Sequence, residues 1–308
     1  MILTITLNPC IDKSSAVEKL EPESKLRCTE VLHEPGGGGV NVSKALKKLG
    51  VASTALFPAG GHNGRMLCGL LDEEGIHYHA VETKVETREN WIVLETEANN
   101  QYRFTFPGRA VDESTMQTLV DEVRNFSPAY VVASGSLPPG LPDNFYGLVV
   151  KNARAAGAKC IVDTSGPALQ ALRAKGAYLI KPNLSELRKM LQAPILSPKE
   201  IDDAAQQAIF DGYAEMVVVS LGPLGAWLVT KDEKHFAPAP KVEKKSTVGA
   251  GDSMLAGVTY MLQQQRSLKE VIAFGVACGS AATMNEGTQL FKKEDAETLY
   301  ELIKQQQV

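Results

Sequence analysis

Residues 246–253 read STVGAGDS and lead directly into a long apolar stretch with the composition of a helix. A Gly-x-Gly turn that opens a helix aims unpaired backbone N–H groups and the positive end of the helix dipole at one point. Gly249, Ala250 and Gly251 would form such an anion hole, with Asp252 placed to accept a proton from an attacking hydroxyl. The alternative is a simple Asp or Ser N-cap with glycines for the turn. The loop is not a Walker A motif, because the sequence contains no GxxxxGK[ST].

A run of four glycines, within residues 34–42 (EPGGGGVNV), precedes a second predicted helix. Consecutive glycines lose much conformational entropy on folding and are expected where the backbone must approach another group closely. Asn41, at the start of that helix, is a candidate for capping it or for binding sugar hydroxyls. A flexible loop has the same composition, so the run alone leaves both alternatives open.

The segment 181–186 reads KPNLSE and follows a predicted strand. Asn183 and Glu186 are three residues apart, so they lie on one face of the first helical turn, where they could order the water shell of a phosphate-bound Mg²⁺. The same spacing fits a capping box, in which the two side chains only cap the helix. The spacing does not decide between these two interpretations.

Short apolar segments alternate with amphipathic ones along most of the chain. The predicted strands are residues 2–7, 52–58, 130–134, 159–163, 178–181 and 216–220. The main predicted helices are residues 40–49, 65–74, 143–156, 185–191, 252–263, 268–284 and 293–306. Strands that are apolar throughout and separated by helices indicate a parallel sheet covered on both faces. We therefore expect an α/β fold, a doubly wound and mostly parallel sheet flanked by helices, in one domain spanning residues 1–308.

Two segments interrupt this alternation. Residues 13–34 contain two short extended pieces, and residues 88–107 alternate with a period of two around an Asn-rich turn, which predicts a hairpin. Tyr102, Phe104 and Phe106 share one face of that hairpin. We expect the two segments to form a small antiparallel β lid whose aromatic face is buried against the core, a partner chain or a ligand.

The composition is that of an ordinary globular protein, with 44% hydrophobic and 22% charged residues among 308. A net charge of −4 argues against a nucleic-acid partner, which would favour a basic excess. The N-terminus lacks a signal-peptide pattern and no apolar run reaches about 18 residues, so no membrane partner is expected. The five cysteines form no CxxC pair, which favours reduced thiols in a cytoplasmic protein.

These motifs, together with Asp12 and the Ser-Leu-Gly at 220–222, occur in the order and spacing of the ribokinase-like, or PfkB, family of carbohydrate kinases. The chain resembles that family over essentially its whole length, and the GAGD element combined with the Asn-x-x-Glu pair is highly specific to it. Segments 25–29 (KLRCT), 34–39 and 246–254 are most similar to the minor, ribokinase-type bacterial 6-phosphofructokinases. The resemblance implies a ribokinase-like fold and an ATP- and Mg²⁺-dependent kinase of sugar phosphates.

The resemblance also implies a role for individual residues. Asp252 would be the general base, and the anion hole would be Gly249, Ala250 and Gly251. The sugar phosphate would be bound by Asp12, Lys25, Gly37, Gly38, Gly39, Asn41, Arg88, Arg103 and Ser136. The nucleotide would be bound by Lys181, Asn183, Ser220, Gly222, Gly225, Thr247, Gly249 and Gly251. Mg²⁺ would be organised through water by Asn183 and Glu186, and a monovalent cation such as K⁺ would be caged by Ser246, Val248, Ala282, Asn285 and Gly287.

The glycine run bears on the choice of substrate. Many relatives that phosphorylate fructose 1-phosphate or tagatose 6-phosphate have Gly-Gly-Lys-Gly, whereas this chain has only glycine at 37–39. The missing lysine shifts the expected phosphate contact to Lys25, Arg88 and Arg103 and favours fructose 6-phosphate. Tagatose-6-phosphate kinase and 1-phosphofructokinase stay as alternatives, and a catalytically silent sugar-phosphate sensor is the alternative from another class. By the same resemblance we expect a homodimer that pairs two lids.

Overall fold

The computed structural model describes residues 1–193, 198–285, 287 and 289–306. The strands are β1 Ile2–Ile5, β2 Cys10–Val17, β3 Leu32–Gly36, β4 Ser53–Ala59, β5 Tyr78–Glu82, β6 Arg88–Glu95, β7 Asn100–Thr105, β8 Tyr130–Ser134, β9 Lys159–Asp163, β10 Ala177–Ile180, β11 Ala214–Ser220, β12 Gly225–Thr230 and β13 Lys234–Pro238. The helices are α1 Gly38–Lys48, α2 Gly61–Glu73, α3 Glu113–Phe126, α4 Phe145–Ala155, α5 Gly166–Gln170, α6 Leu184–Leu191, α7 Pro198–Phe210, α8 Ala250–Gln263, α9 Leu268–Thr283 and α10 Lys293–Gln306.

A nine-stranded sheet forms the centre of the molecule, in the order β13-β12-β11-β10-β9-β8-β1-β4-β5. The strands from β5 to β11 in that order are parallel, and β12 and β13 are antiparallel at one edge. This is the mostly parallel α/β sheet that the sequence predicts. β5, β12 and β13 are not among the predicted strands, because β5 is a half-exposed edge and no α-helix separates β11, β12 and β13.

Both faces of this sheet are buried, and successive residues of a strand face opposite layers of helices. On β8, Val131 and Ala133 pack in a cluster with α3, α4, α6 and α7, while Tyr130 and Val132 pack in a second cluster with α1, α8, α9 and α10. Because the central strands are covered on both faces, their residues are apolar at nearly every position. A third cluster packs α2 against β4 and the start of β2.

A four-stranded sheet, β3-β2-β6-β7, forms the lid. Its outer pairs, β2 with β3 and β6 with β7, are antiparallel as expected. The central pair, β2 with β6, is parallel, because both strands leave the same edge of the main sheet, one after β1 and the other after β5. Tyr102, Phe104 and Phe106 are 38%, 48% and 48% exposed, so the core of this chain does not cover the aromatic face. No helix in the described part of the chain is both long and apolar enough to cross a bilayer.

Candidate active site

The first turn of α8 leaves its N-terminus open, as the predicted anion hole requires. Gly249 occupies the N-cap position in the left-handed region, at φ 70°, and no side chain caps the helix within the described residues. The N-cap is therefore neither an Asp nor a Ser, contrary to the simpler alternative. The first intrahelical bond runs from Ser253 N–H to the Gly249 carbonyl at 2.8 Å. The N–H groups of Ala250 and Gly251 are thus left for a ligand, at the positive end of the helix dipole.

Asp252 stands in this first turn, where it is partly buried. Its Oδ2 accepts a hydrogen bond of 2.9 Å from Asn41 Nδ2 at the start of α1. Burial raises the pKa of Asp252 to about 6, with further raising by the charges of Asp163 and Asp12, against lowering by Asn41 and Lys181. A carboxylate with a pKa of about 6 is still ionised at neutral pH and holds a transferred proton better than an ordinary aspartate.

Lys181 supplies positive charge beside the anion hole. Its Nζ lies 3.2 Å from Asp163 Oδ2, and 3.4 Å from the position that a Cβ on Gly251 would occupy. Burial alone would lower the pKa of Lys181, but Asp163, with smaller contributions from Asp252 and Glu186, raises it. The lysine therefore stays protonated although it is only 7% exposed. A buried ammonium of this kind can neutralise charge on a phosphoryl group in the anion hole.

A cavity of about 620 Å³ opens on one side of the anion hole. Five predicted nucleotide-binding residues line it, namely Ser220, Gly222, Gly225, Thr247 and Gly251. The rest of its lining is largely apolar, including Met254 and Val276 from α8 and α9, which suits the flat face of a purine base. The other three predicted residues are at its margin: Gly249 precedes the lining residue Ala250, Lys181 lies beside Gly251, and Asn183 forms a β-bridge with Ser220.

Asn183 and Glu186 form a complete capping box at the start of α6. The Glu186 backbone N–H donates to Asn183 Oδ1 at 2.9 Å, and the Asn183 backbone N–H donates to Glu186 Oε2 at 2.8 Å. Both residues also line a cavity of about 350 Å³ next to Ser165 and Gly166. The capping interpretation of their spacing is therefore correct, and a role at Mg²⁺ remains a prediction for the oxygen atoms that capping does not use.

The base of the lid holds Asp12 and Arg88. In the parallel register of β2 and β6, Cys10 pairs with Arg88 and Asp12 with Asn90, so the four side chains share one face. Asp12 is buried, and its Oδ1 accepts from Asn90 Nδ2 at 2.9 Å and from Cys10 Sγ at 3.3 Å. A Cβ on Gly36 would lie only 2.3 Å from Asp12 Oδ2, so glycine is required there.

The glycine run lies where backbones meet, so it is not a flexible loop. A Cβ on Gly38 would lie 2.3 Å from Ser134 Oγ at the end of β8, and one on Gly39 would lie 2.5 Å from the carbonyl oxygen of Ile5 at the end of β1. Gly37 has φ 114°, which side chains rarely adopt. The run brings the start of α1, and with it Asn41, against the carboxyl edge of the sheet.

The structure separates the remaining predicted phosphate contacts. Arg103 Nη2 donates to Thr247 Oγ1 at 3.0 Å, which joins the lid to the loop before the anion hole. Ser136 Oγ accepts from Asn8 Nδ2 at 3.2 Å, in the same neighbourhood as Arg88, whose Nε donates to the Asn8 carbonyl at 3.1 Å. Lys25 is exposed in the segment between β2 and β3, and in the described part of the chain no hydrogen bond or ion pair joins it to the other site residues.

The predicted cation cage is brought together next to the anion hole. Ser246 Oγ donates to the Gly287 carbonyl at 2.9 Å and accepts from the Val248 N–H at 3.2 Å. The Asn285 N–H donates to the Ala282 carbonyl at 3.3 Å, at the end of α9. The cluster contains the main-chain carbonyls of Ala282 and Gly287, and among the described residues no group of three or more His, Cys, Asp or Glu side chains could hold a metal ion. That donor set suits a monovalent cation better than a transition metal.

Sequence reasoning missed three residues of this site: Cys10, Asn90 and Asp163. Asp163 ends β9 at the carboxyl edge of the sheet, a position from which α/β proteins draw functional side chains, so the strand pattern could have found it. Asn90 stands two residues after Arg88 on an alternating strand, which places both on one face. Cys10 carries no such signal, because a thiol beside a carboxylate is visible only in three dimensions.

Comparison with known proteins decides the family. A family model described as pfkB family carbohydrate kinase matches residues 3–295. The chain belongs to the pfkB family of carbohydrate kinases. It is 43% identical over 301 residues to ATP-dependent 6-phosphofructokinase isozyme 2 of Escherichia coli, which covers 97% of each chain. It is 33% identical over 300 residues to 1-phosphofructokinase of Bacillus subtilis, which covers 96% of this chain and 97% of the relative.

Solved structures agree with this assignment. Phosphofructokinase-2 from Escherichia coli in complex with potassium superimposes with a TM-score of 0.95 at 42% identity, over 98% of this chain and 99% of that one. Ribokinase from Arabidopsis thaliana, complexed with ribose and ATP, has a TM-score of 0.76 over 97% and 98% of the two chains, at 19% identity, which shows the shared fold. As a pfkB family member with phosphofructokinase relatives, this chain is an ATP-dependent sugar kinase.

Proposed function

We propose that this pfkB family kinase phosphorylates the free primary hydroxyl of fructose 6-phosphate to give fructose 1,6-bisphosphate, as a cytoplasmic 6-phosphofructokinase. The observation that carries the proposal is the position of Asp252, in the open anion hole, bonded to Asn41 and within electrostatic reach of Asp12. The 6-phosphofructokinase relative at 43% identity supports the same substrate. The five cysteines are free thiols, in agreement with a reducing compartment.

In the proposed reaction the substrate hydroxyl attacks the γ-phosphorus of ATP. A bond forms between the hydroxyl oxygen and phosphorus, the bond from phosphorus to the β,γ-bridging oxygen breaks, and ADP leaves with that electron pair. The hydroxyl proton passes to the Asp252 carboxylate, whose raised pKa of about 6 favours its acceptance. The N–H groups of Ala250 and Gly251 and the ammonium of Lys181 stabilise the charge on the transferred group.

The sugar phosphate would lie between the core and the lid. Asp12 Oδ2 makes no hydrogen bond in the described part of the chain, and Asn41 is held beside Asp252, so both can meet sugar hydroxyls, together with the backbone of the glycine run. Arg88 uses its Nε and Nη1 within the protein, and its Nη2 has no partner among the described residues. We assign that nitrogen to the substrate phosphate, with Ser136, Arg103 and Lys25 as further contacts that lid closure would have to bring in.

Two cations accompany this proposal. We assign Mg²⁺, through water, to Asn183 and Glu186, which line one cavity and keep polar atoms beyond those used for capping. When bound with ATP, Mg²⁺ would neutralise phosphate charge. We assign K⁺ to the cluster of Ser246, Val248, Ala282, Asn285 and Gly287, because internal hydrogen bonds bring these residues together and hold the main-chain carbonyls of Ala282 and Gly287 in place.

We also propose that two copies pair through their lids. The exposed face formed by Tyr102, Phe104 and Phe106 is the observation that supports it, since contiguous aromatic surface on a sheet is normally covered. Light scattering should give a dimer for the wild type, and Phe104→Glu should give a monomer at the same protein concentration. Phe210→Glu is a matched control, because Phe210 is 87% exposed on α7 outside the lid. A monomeric wild type would contradict the proposal.

The test of the substrate is ADP release from MgATP with fructose 6-phosphate, tagatose 6-phosphate, fructose 1-phosphate, fructose and ribose. We expect kcat/KM for fructose 6-phosphate to exceed each of the others by at least ~10-fold, a gap of about 1.4 kcal/mol. Preference for fructose 1-phosphate would favour the second candidate, which the Bacillus subtilis 1-phosphofructokinase relative supports. Preference for tagatose 6-phosphate would change the assigned substrate but leave the mechanism as proposed. Absence of turnover with every sugar would favour a sugar-phosphate sensor.

The test of the base is Asp252→Asn. We expect turnover to fall by at least ~100-fold while ATP still binds, because the amide cannot accept the hydroxyl proton. Asp121→Asn, an exposed carboxylate on α3 that accepts from Gln117, is the matched control and should keep wild-type turnover. Near wild-type turnover of Asp252→Asn would remove Asp252 from the mechanism.

A further inference from the structure

Asn90 lies on β6 between the two groups that bind the sugar phosphate in the proposal above. Its side chain is buried, with 9% of the residue exposed, and every polar position on its amide is used. Nδ2 donates to Asp12 Oδ1 at 2.9 Å and to Cys10 Sγ at 3.1 Å. Oδ1 accepts from Arg88 Nη1 at 2.7 Å and from the Phe106 backbone N–H at 3.3 Å.

We propose that Asn90 is a positioning residue for the sugar phosphate, which fixes the Asp12 carboxylate and the Arg88 guanidinium at a set separation before the substrate binds. An ionised carboxylate only accepts hydrogen bonds, and a guanidinium only donates them. A primary amide carries a donor and an acceptor side by side, so Asn90 can bond to Asp12 and Arg88 at once. At the same position a carboxylate would repel Asp12, and an ammonium would repel Arg88. The inference rests on the proposed function.

The bonds that Asn90 makes also determine which atoms remain for the substrate. Asn90 and Cys10 both bond to Oδ1 of Asp12, and so leave Oδ2, which stands over Gly36 without a partner in the described residues. On Arg88, Asn90 and two backbone carbonyls use Nη1 and Nε, and leave Nη2. The two remaining atoms are the ones assigned above to a sugar hydroxyl and to the phosphate. Asn90 thereby sets the distance over which a hydroxyl and a phosphate of one substrate can be recognised.

The experiment measures Kd for fructose 6-phosphate by calorimetry, and KM for each substrate, on Asn90→Leu and Asn90→Asp. Leucine has a similar size and makes neither set of hydrogen bonds, whereas aspartate keeps the acceptor for Arg88 but places a second carboxylate beside Asp12. We expect Kd and KM for fructose 6-phosphate to rise at least ~10-fold in both variants, the size of one charge-assisted hydrogen bond. KM for ATP should stay within about 2-fold. Asn125→Leu, which removes an exposed asparagine that donates to Glu122 on α3 outside the lid, is the matched control and should change neither.

A double-mutant cycle with Asp12→Asn distinguishes the positioning role of Asn90 from a purely structural one. If Asn90 acts through Asp12, the increase in Kd caused by Asn90→Leu should be at least ~3-fold smaller in the Asp12→Asn background than in the wild type. Equal increases in both backgrounds, or an unchanged Kd in Asn90→Leu and Asn90→Asp, would overturn the proposal. If only one variant folds, that variant decides.

Measurements on the wild-type protein distinguish a failure of this proposal from a failure of the proposed function. Absence of fructose 6-phosphate turnover by the wild type would refute the function, and the Asn90 comparison is then made with whichever sugar phosphate of the panel the wild type binds. Retention of wild-type affinity for that ligand by the Asn90 variants would refute the positioning role alone. If the wild type binds no sugar phosphate at all, both proposals fail.

Discussion

Replacing Asp252 by asparagine should make the folded protein more stable at neutral pH, although it removes the proposed base. The pKa of Asp252 is about 6 in the fold against an ordinary 3.8, mainly because of burial. Keeping this carboxylate ionised in the folded state therefore costs up to about 3 kcal/mol above pH 7. Solvent reaches part of the side chain, so we expect a gain of about 1 to 3 kcal/mol, or roughly 2 to 6 °C in Tm.

The direction of the pKa shift determines how the stability difference between Asp252→Asn and the wild type depends on pH. A raised carboxyl pKa means that the folded state binds the proton more tightly than the unfolded state, so the stabilisation that protonation brings is complete below about 3.8 and is lost as pH rises through about 6. The advantage of Asp252→Asn should therefore be full at pH 8 and fall to about one third of that at pH 4.5. Thermal and urea unfolding without ligands at pH 8, 6 and 4.5 measure it.

The same substitution at Asp163 should have the opposite effect. Burial raises the pKa of Asp163 as well, but Asp163 is the ion-pair partner of Lys181. Asp163→Asn therefore leaves a buried ammonium without its carboxylate, a loss that outweighs the relief of a buried carboxylate, and it should lower stability by about 3 kcal/mol. Asp121→Asn, on the exposed face of α3, should change Tm by less than about 1 °C. If Asp252→Asn were no more stable than the wild type at pH 8, or if its gain did not depend on pH, the ionised Asp252 would not be a strained charge and the reasoning would fail.

Three further outcomes are expected. Gly249→Ala should lower both the stability of the protein and kcat, with kcat falling at least ~10-fold, because Gly249 has φ 70° and a Cβ there would lie 2.5 Å from Leu290. The matched control is Gly157→Ala, because Gly157 has φ 75° but open space around it. This control should lower only the stability, by about 1 kcal/mol. Gly36→Ala should raise KM for the sugar phosphate at least ~10-fold and leave KM for ATP unchanged, because the new Cβ would displace the proposed sugar-binding carboxylate of Asp12. Steady-state kinetics with each substrate varied in turn measure both KM values. In the wild type, kcat/KM should fall about tenfold per pH unit below a midpoint near pH 6, as the proposed base becomes protonated; a flat profile to pH 5 would contradict it.

Much of the fold could be predicted because it depends on local sequence patterns. The apolar strands and the helices between them follow from burial of the sheet on both faces, as the two clusters around β8 show. The STVGAGDS loop predicted an anion hole with Asp252 in its first turn, and α8 begins at Ala250 with the N-terminus open. Chemistry of this kind depends on backbone direction within a few residues, so a short sequence is enough to indicate it.

Other features depend on contacts between distant segments, and no local pattern carries them. The parallel pairing of β2 with β6 joins residues about 80 positions apart, for example Cys10 with Arg88, and it follows from where both strands leave the main sheet. The bond from Arg103 to Thr247 spans 144 positions. The spacing of Asn183 and Glu186 was ambiguous for a different reason, because a capping box and a polar face toward Mg²⁺ require the same two residues at the same separation.

The arrangement of charges explains how Asp252 stays ionised at neutral pH although its pKa is raised to about 6. The charges of Asp163 and Asp12 both raise the pKa of Asp252, and phosphate groups would add more negative charge. Lys181 offsets this on one side of Asp252, where it is held by Asp163, and Arg88 does so near Asp12, where it is held by Asn90. Because each cation is held by a partner within the protein, it is in place before the phosphates arrive. Asp252 therefore keeps a pKa of about 6, high enough to take a proton and low enough to remain ionised at neutral pH.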